Sequence, residues 1–202
     1  NARNVVGFLP GRDPDLADEV VAVGAHHDHV GLGKFGSLGG AAAAGQVHNG
    51  ADDNGSGTVA LLELAEWFGR PENRPRRSLL FLSFSGEEMG LLGSIFYVEH
   101  PLVPLADTVA MVNMDMVGRC SNKRLEVGGV GTAKGLQDLV AAAGKPYGYE
   151  ITWDPGGEAP SDSTSFFRKK MPVLFFFTGL HDDYNRPSDD CDKIDWADLA
   201  GI

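Results

Sequence analysis

Two cysteines, Cys120 and Cys191, are all that the 202 residues contain, so the chain can build neither a disulfide framework nor a cysteine-rich zinc knuckle. Sequence leaves open whether the two are paired or free. Basic residues are also scarce: 17 stand against 28 acidic ones for a net charge of −11. That balance excludes a partner held mainly through phosphate contacts. No apolar run approaches the ~20 residues that a membrane-crossing helix needs. Two catalytic signatures are missing as well. There is no H-E-x-x-H, which argues against a single-zinc protease of that type, and no G-x-S-x-G elbow to support a serine hydrolase.

What the chain does have is glycine, 27 residues of it, nearly double the usual share of roughly 7%. The glycines gather beside acidic residues and histidines, as expected where the backbone needs freedom around a site. Val20–Val23, Leu79–Phe84, Val109–Val112 and Val173–Phe177 are short apolar runs that read as buried strands. Asn4–Leu9 reads as a further strand. Helical periodicity appears between them at Leu61, Leu64, Ala65 and Phe68, at Leu136, Leu139, Val140 and Ala143, and more weakly over 91–99. Strand and helix in alternation predict an α/β fold with a mainly parallel sheet covered on both faces. Phe166, Phe167 and Phe175–Phe177 are expected in its core. With 43% hydrophobic residues, the chain is expected to be one domain over 1–202. Its non-Met start and a finish inside a helical pattern suggest a catalytic core cut from a longer protein.

Each buried run is followed by an ionisable cluster. Ala25-His26-His27-Asp28-His29 follows the first, Ser85-Gly86-Glu87-Glu88 the second, Asn113-Met114-Asp115 the third, and Thr178 through Asp183 the fourth. In an open α/β sheet these strand ends share one edge, where ligands bind. A fifth cluster, Asn49 through Gly55, precedes the first clear helix. Helix capping explains any one of the acidic residues. It does not explain histidine and aspartate together at the strand ends, a mixture that suits zinc. A carboxylate-rich set with few histidines favours two cations that share a carboxylate and activate a water. Adjacent side chains diverge, so Glu87 and Glu88 cannot both face one metal in the same way. Gly31-Leu32-Gly33-Lys34-Phe35-Gly36 matches G-x-G-x-x-G but lacks the strand-to-helix context of a dinucleotide site.

Five motifs in order resemble metallopeptidase family 28: A-H-H-D-H at 25–29, N-G-A-D-D-N-G-S-G at 49–57, S-G-E-E-M-G-L-L-G-S at 85–94, N-M-D-M-V-G at 113–118 and D-Y-N-R-P-S-D at 183–189. That family of di-zinc aminopeptidases includes glutamate carboxypeptidase relatives and has glutaminyl cyclases as fold relatives. The resemblance implies a three-layer α/β/α zinc-exopeptidase (phosphorylase/hydrolase-like) fold. It also implies a zinc aminopeptidase holding two Zn2+, replaceable by Co2+ or Mn2+, that acts on peptides and is exported. Carried over by position, it makes His26 and Asp115 ligands of one zinc, Glu88 a ligand of the other, Asp52 the bridge and Glu87 the general base. Asp28 would steady the His26 ring, Asp53 would stand behind the ligands, and the Asp52–Asp53 peptide would be cis.

Two positions depart from the pattern. The last motif has Asn185 where the family has its fifth ligand, a histidine, and Ser161-Asp162-Ser163 stands where S-D-H is usual. An amide oxygen is a poorer zinc ligand than imidazole, so the zinc beside Glu88 is expected to be the weaker one. His181, four residues before Asn185, could reach the vacant place if the segment turns once. Two other readings stay open. One is a carboxypeptidase or cyclase on the same scaffold, with Arg119, Lys123, Arg124 and Arg186 as candidates to grip a carboxylate. The other is a non-catalytic peptide-binding descendant.

Overall fold

A computed structural model describes residues 2–202. Seven strands, β1 (Val5–Leu9), β2 (Val20–His26), β3 (Ser78–Phe84), β4 (Thr108–Met114), β5 (Arg124–Gly128), β6 (Glu150–Asp154) and β7 (Val173–Phe177), form one sheet in the order β1-β3-β2-β4-β7-β5-β6. The central four, β3, β2, β4 and β7, run parallel. Strand β1 is antiparallel on one edge, and the parallel pair β5 and β6 joins antiparallel to β7 on the other. The helices are α1 (Gly57–Gly69), α2 (Leu92–Glu99), α3 (Leu136–Gly144), α4 (Ser163–Phe167) and α5 (Trp196–Leu199).

Strand alternation divides the core into two layers. Val20 and Ala22 of β2 and Leu80, Leu82 and Phe84 of β3 point to one face, where Tyr97 and Val98 of α2 and Phe166 of α4 cover them. Val23, Ala25, Leu79 and Phe81 point to the other, against Leu61 and Leu64 of α1 and Leu199 of α5. A separate apolar group sits under α3: Leu125 and Val127 of β5, Leu174 of β7 and Val140 of the helix, with Ile151 and Trp153 of β6. The architecture is three-layer α/β/α around a mixed, mainly parallel sheet. Leu80, Leu82 and Phe84 are each 0% exposed, so each contributes about 1.5–3 kcal/mol by burial.

The four apolar runs became the four central strands, because strands covered on both faces cannot afford a polar alternation. Strands β5 and β6 escaped the sequence reading. Their burial alternates, Arg124, Glu126, Glu150, Thr152 and Asp154 being exposed and Leu125 and Val127 buried. Phe175–Phe177 also divide: Phe176 packs beneath α3, while Phe175 and Phe177 face a cavity. Both cysteines are free, Cys120 buried and Cys191 exposed.

Strand order reverses at β2, which has β3 on one side and β4 on the other. That switch opens a crevice at the carboxyl ends of the strands. His26 ends β2, Glu87 and Glu88 follow β3, and Asp115 immediately follows β4.

Candidate metal centre

His26 is the pivot of the site. Its ring is 1% exposed, and Nδ1 lies 3.0 Å from the backbone carbonyl of Asp28. Donation from Nδ1 to that oxygen leaves Nε2 as a bare lone pair, and Nε2 has no hydrogen-bond partner. Around it stand Asp115 Oδ1 at 3.3 Å, Asp53 Oδ1 at 3.4 Å and Glu87 Oε2 at 3.8 Å. Zinc bonds of about 2.0–2.1 Å at a tetrahedral angle separate neighbouring ligand atoms by about 3.3–3.4 Å. Asp115 and Asp53 fit that edge; Glu87 stands outside it.

A second group is formed by His29, Asp53 and Glu88. His29 Nδ1 lies 2.7 Å from Glu88 Oε1 and 3.8 Å from Asp53 Oδ2. Asp53 therefore turns one carboxylate oxygen toward His26 and the other toward His29. A buried imidazole lone pair among crowded carboxylates is a donor set that suits a dication and is poorly served by protein groups alone.

The electrostatics carry the same signature. Burial pushes Glu87 up to about 9 against the pull of His26, with the charges of Asp115, Asp162 and Glu88 adding to the rise. Burial likewise raises Asp53 to about 6, opposed by the neighbouring His26 imidazole. Burial works against protonation of His26, yet Asp115, Asp53 and Glu87 together lift its pKa well above the ordinary range. His29 is also raised: burial opposes it, and Glu88 and Asp53 prevail. Burial leads for the two carboxylates, and the surrounding negative charge adds to their rise while it is what lifts the two imidazoles.

Residues 50–57 decide which aspartate enters the site. Gly50 has φ 61°, and a Cβ there would meet the Asp53 carbonyl at 2.4 Å, so only glycine starts this turn. The backbone N–H groups of Asp52 and Asp53 both donate to Asp189 Oδ2, at 2.9 and 3.1 Å. Asn54 closes the other side, donating to the Met114 carbonyl at 3.0 Å and accepting from the Gly57 N–H at 3.0 Å. The turn is thereby tied to the end of β4, next to Asp115. Asp189 is itself fully buried and paired with Arg119 at 2.9 Å.

Several expectations need correction. Asp52 is not between the two groups: its Oδ1 accepts the Gly118 N–H at 2.7 Å and its Oδ2 faces His181 Nε2 at 3.2 Å. Asp53 occupies the shared position, because adjacent side chains diverge and the turn sends the second one inward. The cis peptide is Asp53–Asn54 rather than Asp52–Asp53. Asp28 holds the His26 ring through its backbone oxygen; its carboxylate is 3.8 Å from Nδ1 and instead accepts the Glu87 N–H at 3.1 Å. His181 belongs to neither cluster. Asn185 is buried with Oδ1 unpartnered, and His181 is engaged toward Asp52.

The imidazole beside Glu88 is His29, to which the motif reading gave no ligand role. The only local signal was the third histidine of A-H-H-D-H, and spacing did not single it out. Ser161 was also missed: its hydroxyl donates to Asp115 Oδ2 at 2.7 Å and accepts from Asn113 at 2.8 Å, fixing the carboxylate's orientation. Arg119 is committed to Asp183 and Asp189, Lys123 to Asp198, and Arg124 faces Glu150 at 3.5 Å.

A cavity of about 290 Å³ opens from these residues, lined by Asp53, Glu87, Glu88 and Asp115 at one end and by no lysine, arginine or histidine anywhere. Among the described residues, no helix is long and apolar enough to cross a membrane.

Comparison with known proteins gives a consistent result. A family model described as Peptidase family M28 matches residues 4–202. Leupeptin-inactivating enzyme 1 of Streptomyces exfoliatus is 28% identical over 200 residues, covering 98% of this chain and 40% of that protein. Aminopeptidase YwaD of Bacillus subtilis is 31% identical over 155 residues, 76% of this chain and 30% of its own length. Among solved structures, BSAP, a zinc aminopeptidase from Bacillus subtilis, superposes with a TM-score of 0.77 at 27% identity, over 98% of this chain and 47% of that one. Glutaminyl cyclase of Porphyromonas gingivalis superposes with a TM-score of 0.81 at 20% identity, over 99% of this chain and 74% of that one; this is a likeness of fold. The chain thus spans less than half the length of the two relatives it resembles in sequence.

Proposed function

The chain belongs to peptidase family M28, and on that premise we propose that it is a zinc-dependent aminopeptidase that removes N-terminal residues from peptides. In this reading His26 and Asp115 would hold one zinc, Glu88 and His29 a second, and Asp53 would serve both. Zinc held there would supply positive charge that polarises a carbonyl and lowers the pKa of water.

The remaining chemistry falls to the protein's own groups. Glu87, outside the ligand edge yet beside it, accepts the proton of the attacking water and returns it to the departing amine. Its pKa is raised by burial and like charge, so once it has taken a proton it holds it more firmly than an exposed carboxylate would and has it available for the amine. The Glu87 N–H bond to the Asp28 carboxylate fixes the segment that carries it. Ser161 orients Asp115 from behind. Export, which the family resemblance implies, belongs to the same reading.

The observation that carries the choice of aminopeptidase over carboxypeptidase is the cavity's charge. Its lining offers carboxylates and no basic side chain, which suits a free α-amino group and repels a free α-carboxylate. The arginine and lysine with the best prospect of gripping a carboxylate are tied to aspartates instead.

The test is hydrolysis of aminoacyl p-nitroanilides by zinc-loaded protein, its loss on chelation, and its return with zinc, cobalt or manganese. Glu87→Gln should lower turnover by about 10²–10⁴-fold and retain zinc by elemental analysis. Full activity in that variant would remove Glu87 from its role. Release of C-terminal residues, or cyclisation of N-terminal glutamine without anilide hydrolysis, would replace the aminopeptidase by one of its relatives.

A further inference from the structure

The far wall of the cavity is built by strands that the metal centre does not use. In β5, β6 and β7, Phe177, Glu126 and Thr152 lie side by side in register, and Phe175, Gly128 and Asp154 form the next row. The intervening residues of these strands, Leu125, Val127, Leu174, Phe176, Ile151 and Trp153, pack beneath α3. Period-two alternation therefore turns both rows toward the opposite face, and all six of their residues line the cavity. Gly128 contributes no side chain, so the floor between Phe175 and Asp154 stays bare.

We infer that this wall selects peptides whose N-terminal residue has a cationic side chain, lysine or arginine. The inference rests on the aminopeptidase reading and names its substrate class. The Glu126 carboxylate makes no hydrogen bond or ion pair among the described residues. Asp154 spends one oxygen on the Gly156 N–H at 2.8 Å and leaves the other free. A third carboxylate at the rim, Glu158, has Arg168 at 3.3 Å and is already compensated. The cavity thus carries two unbalanced negative charges apart from those of the metal centre, and no positive side chain faces them.

An acidic patch alone would be an ordinary solvated surface. Here the two carboxylates line the same cavity as Asp53, 4% exposed, and Asp115, and β7, which runs between β4 and β5, puts Phe175 and Phe177 along the passage from one group to the other. Phe175 and Phe177 stack with centroids 5.8 Å apart along that passage, and Pro160 and Leu180 also line it. Apolar walls with a charged end match a long side chain whose stem is aliphatic and whose tip is cationic, and the aromatic faces add favourable cation–π contact. The spacing agrees. Strand β5 is two strands from β4 and β6 three, which sets the backbones of Glu126 and Asp154 about 10 and 14 Å across the sheet from β4. A lysine's four-carbon stem or an arginine's longer reach helps span that separation. Leucine is shorter and uncharged, and would leave both carboxylates facing an apolar group.

The experiment compares kcat/KM for lysyl, arginyl, norleucyl and leucyl p-nitroanilides on the zinc-loaded chain. In parallel, calorimetry on zinc-loaded Glu87→Gln protein measures binding of argininamide and norleucinamide. Because Glu126 and Asp154 remain open to solvent, the expected preference for the cationic partner is about tenfold, roughly 1.4 kcal/mol. It should narrow with added salt. The double substitution Glu126→Gln with Asp154→Asn should bring the ratio close to one. Equal or better cleavage of norleucyl substrate overturns the inference and leaves the aminopeptidase reading standing. A preference that survives the double substitution overturns it as well. If no anilide is cleaved but argininamide still binds over norleucinamide through Glu126 and Asp154, the wall keeps its assignment and the peptidase reading falls.

Discussion

Replacing Asp189 by asparagine tests how the site is held together. The carboxylate is 0% exposed and serves three donors: Oδ2 accepts the N–H groups of Asp52 and Asp53, and Oδ1 pairs with Arg119. Asparagine keeps one acceptor oxygen and puts an NH2 in place of the other. Whichever way the amide turns, donors face a donor. If the oxygen stays on the backbone pair, Arg119 loses its buried partner and keeps only Asp183 at 3.3 Å. If it turns to Arg119, two buried N–H groups are stranded at about 1–3 kcal/mol each. Removing one member of a buried charge pair costs about 3–5 kcal/mol, so Asp189→Asn should lower unfolding free energy by about 3–5 kcal/mol. That is a large part of the ~5–15 kcal/mol a domain possesses. Urea titration at fixed pH, read as a shift in midpoint with an unchanged slope, measures it. The turn that presents Asp53 would also loosen, so zinc retention should fall in the same protein. A loss below about 1 kcal/mol with zinc retained would refute the view that Asp189 fixes this turn.

The neighbouring aspartates separate by role. Asp53→Asn should lose most bound zinc on dialysis, whereas Asp52→Ala should retain it and lose about 1–3 kcal/mol of stability because the buried Gly118 N–H is left without its acceptor; elemental analysis giving the opposite order would return Asp52 to the centre. Asp162 supplies a pH test. It is fully buried, and burial raises its pKa from 3.8 to about 7. A raised carboxyl pKa favours the folded state only while both states are protonated, so stability should fall as pH climbs from ~4 to ~7 and level off above. Between pH 5 and pH 8 Asp162→Asn should therefore gain about 2–3 kcal/mol relative to the parent chain. Parallel urea midpoints for the two proteins at both pH values would contradict this.

The central sheet was legible because its strands are buried on both faces and show as continuous apolar runs. Strands β5 and β6 were not, since one of their faces is left open as the cavity wall. Phe175 and Phe177 were read as core for the related reason that an apolar side chain lining a pocket has the same composition as one packed beneath a helix.

At the site, residue types and their positions at the carboxyl ends of strands were enough to gather the clusters that hold His26, Glu87, Glu88 and Asp115, because a parallel sheet brings those ends to one edge whatever the loops do; the family resemblance singled these residues out within them. Choosing between Asp52 and Asp53 lay beyond the sequence. The two are chemically identical neighbours, and the difference is made by Asp189 and Asn54, brought from distant loops to fix the turn. The imidazole beside Glu88 was equally undetermined: His29 and His181 are both near motif positions, and only the paths of their loops bring one to Glu88 and the other to Asp52. Composition and strand order thus fixed which chemistry gathers at the sheet edge. The direction each side chain faces was left to long-range backbone hydrogen bonds, which no local pattern encodes.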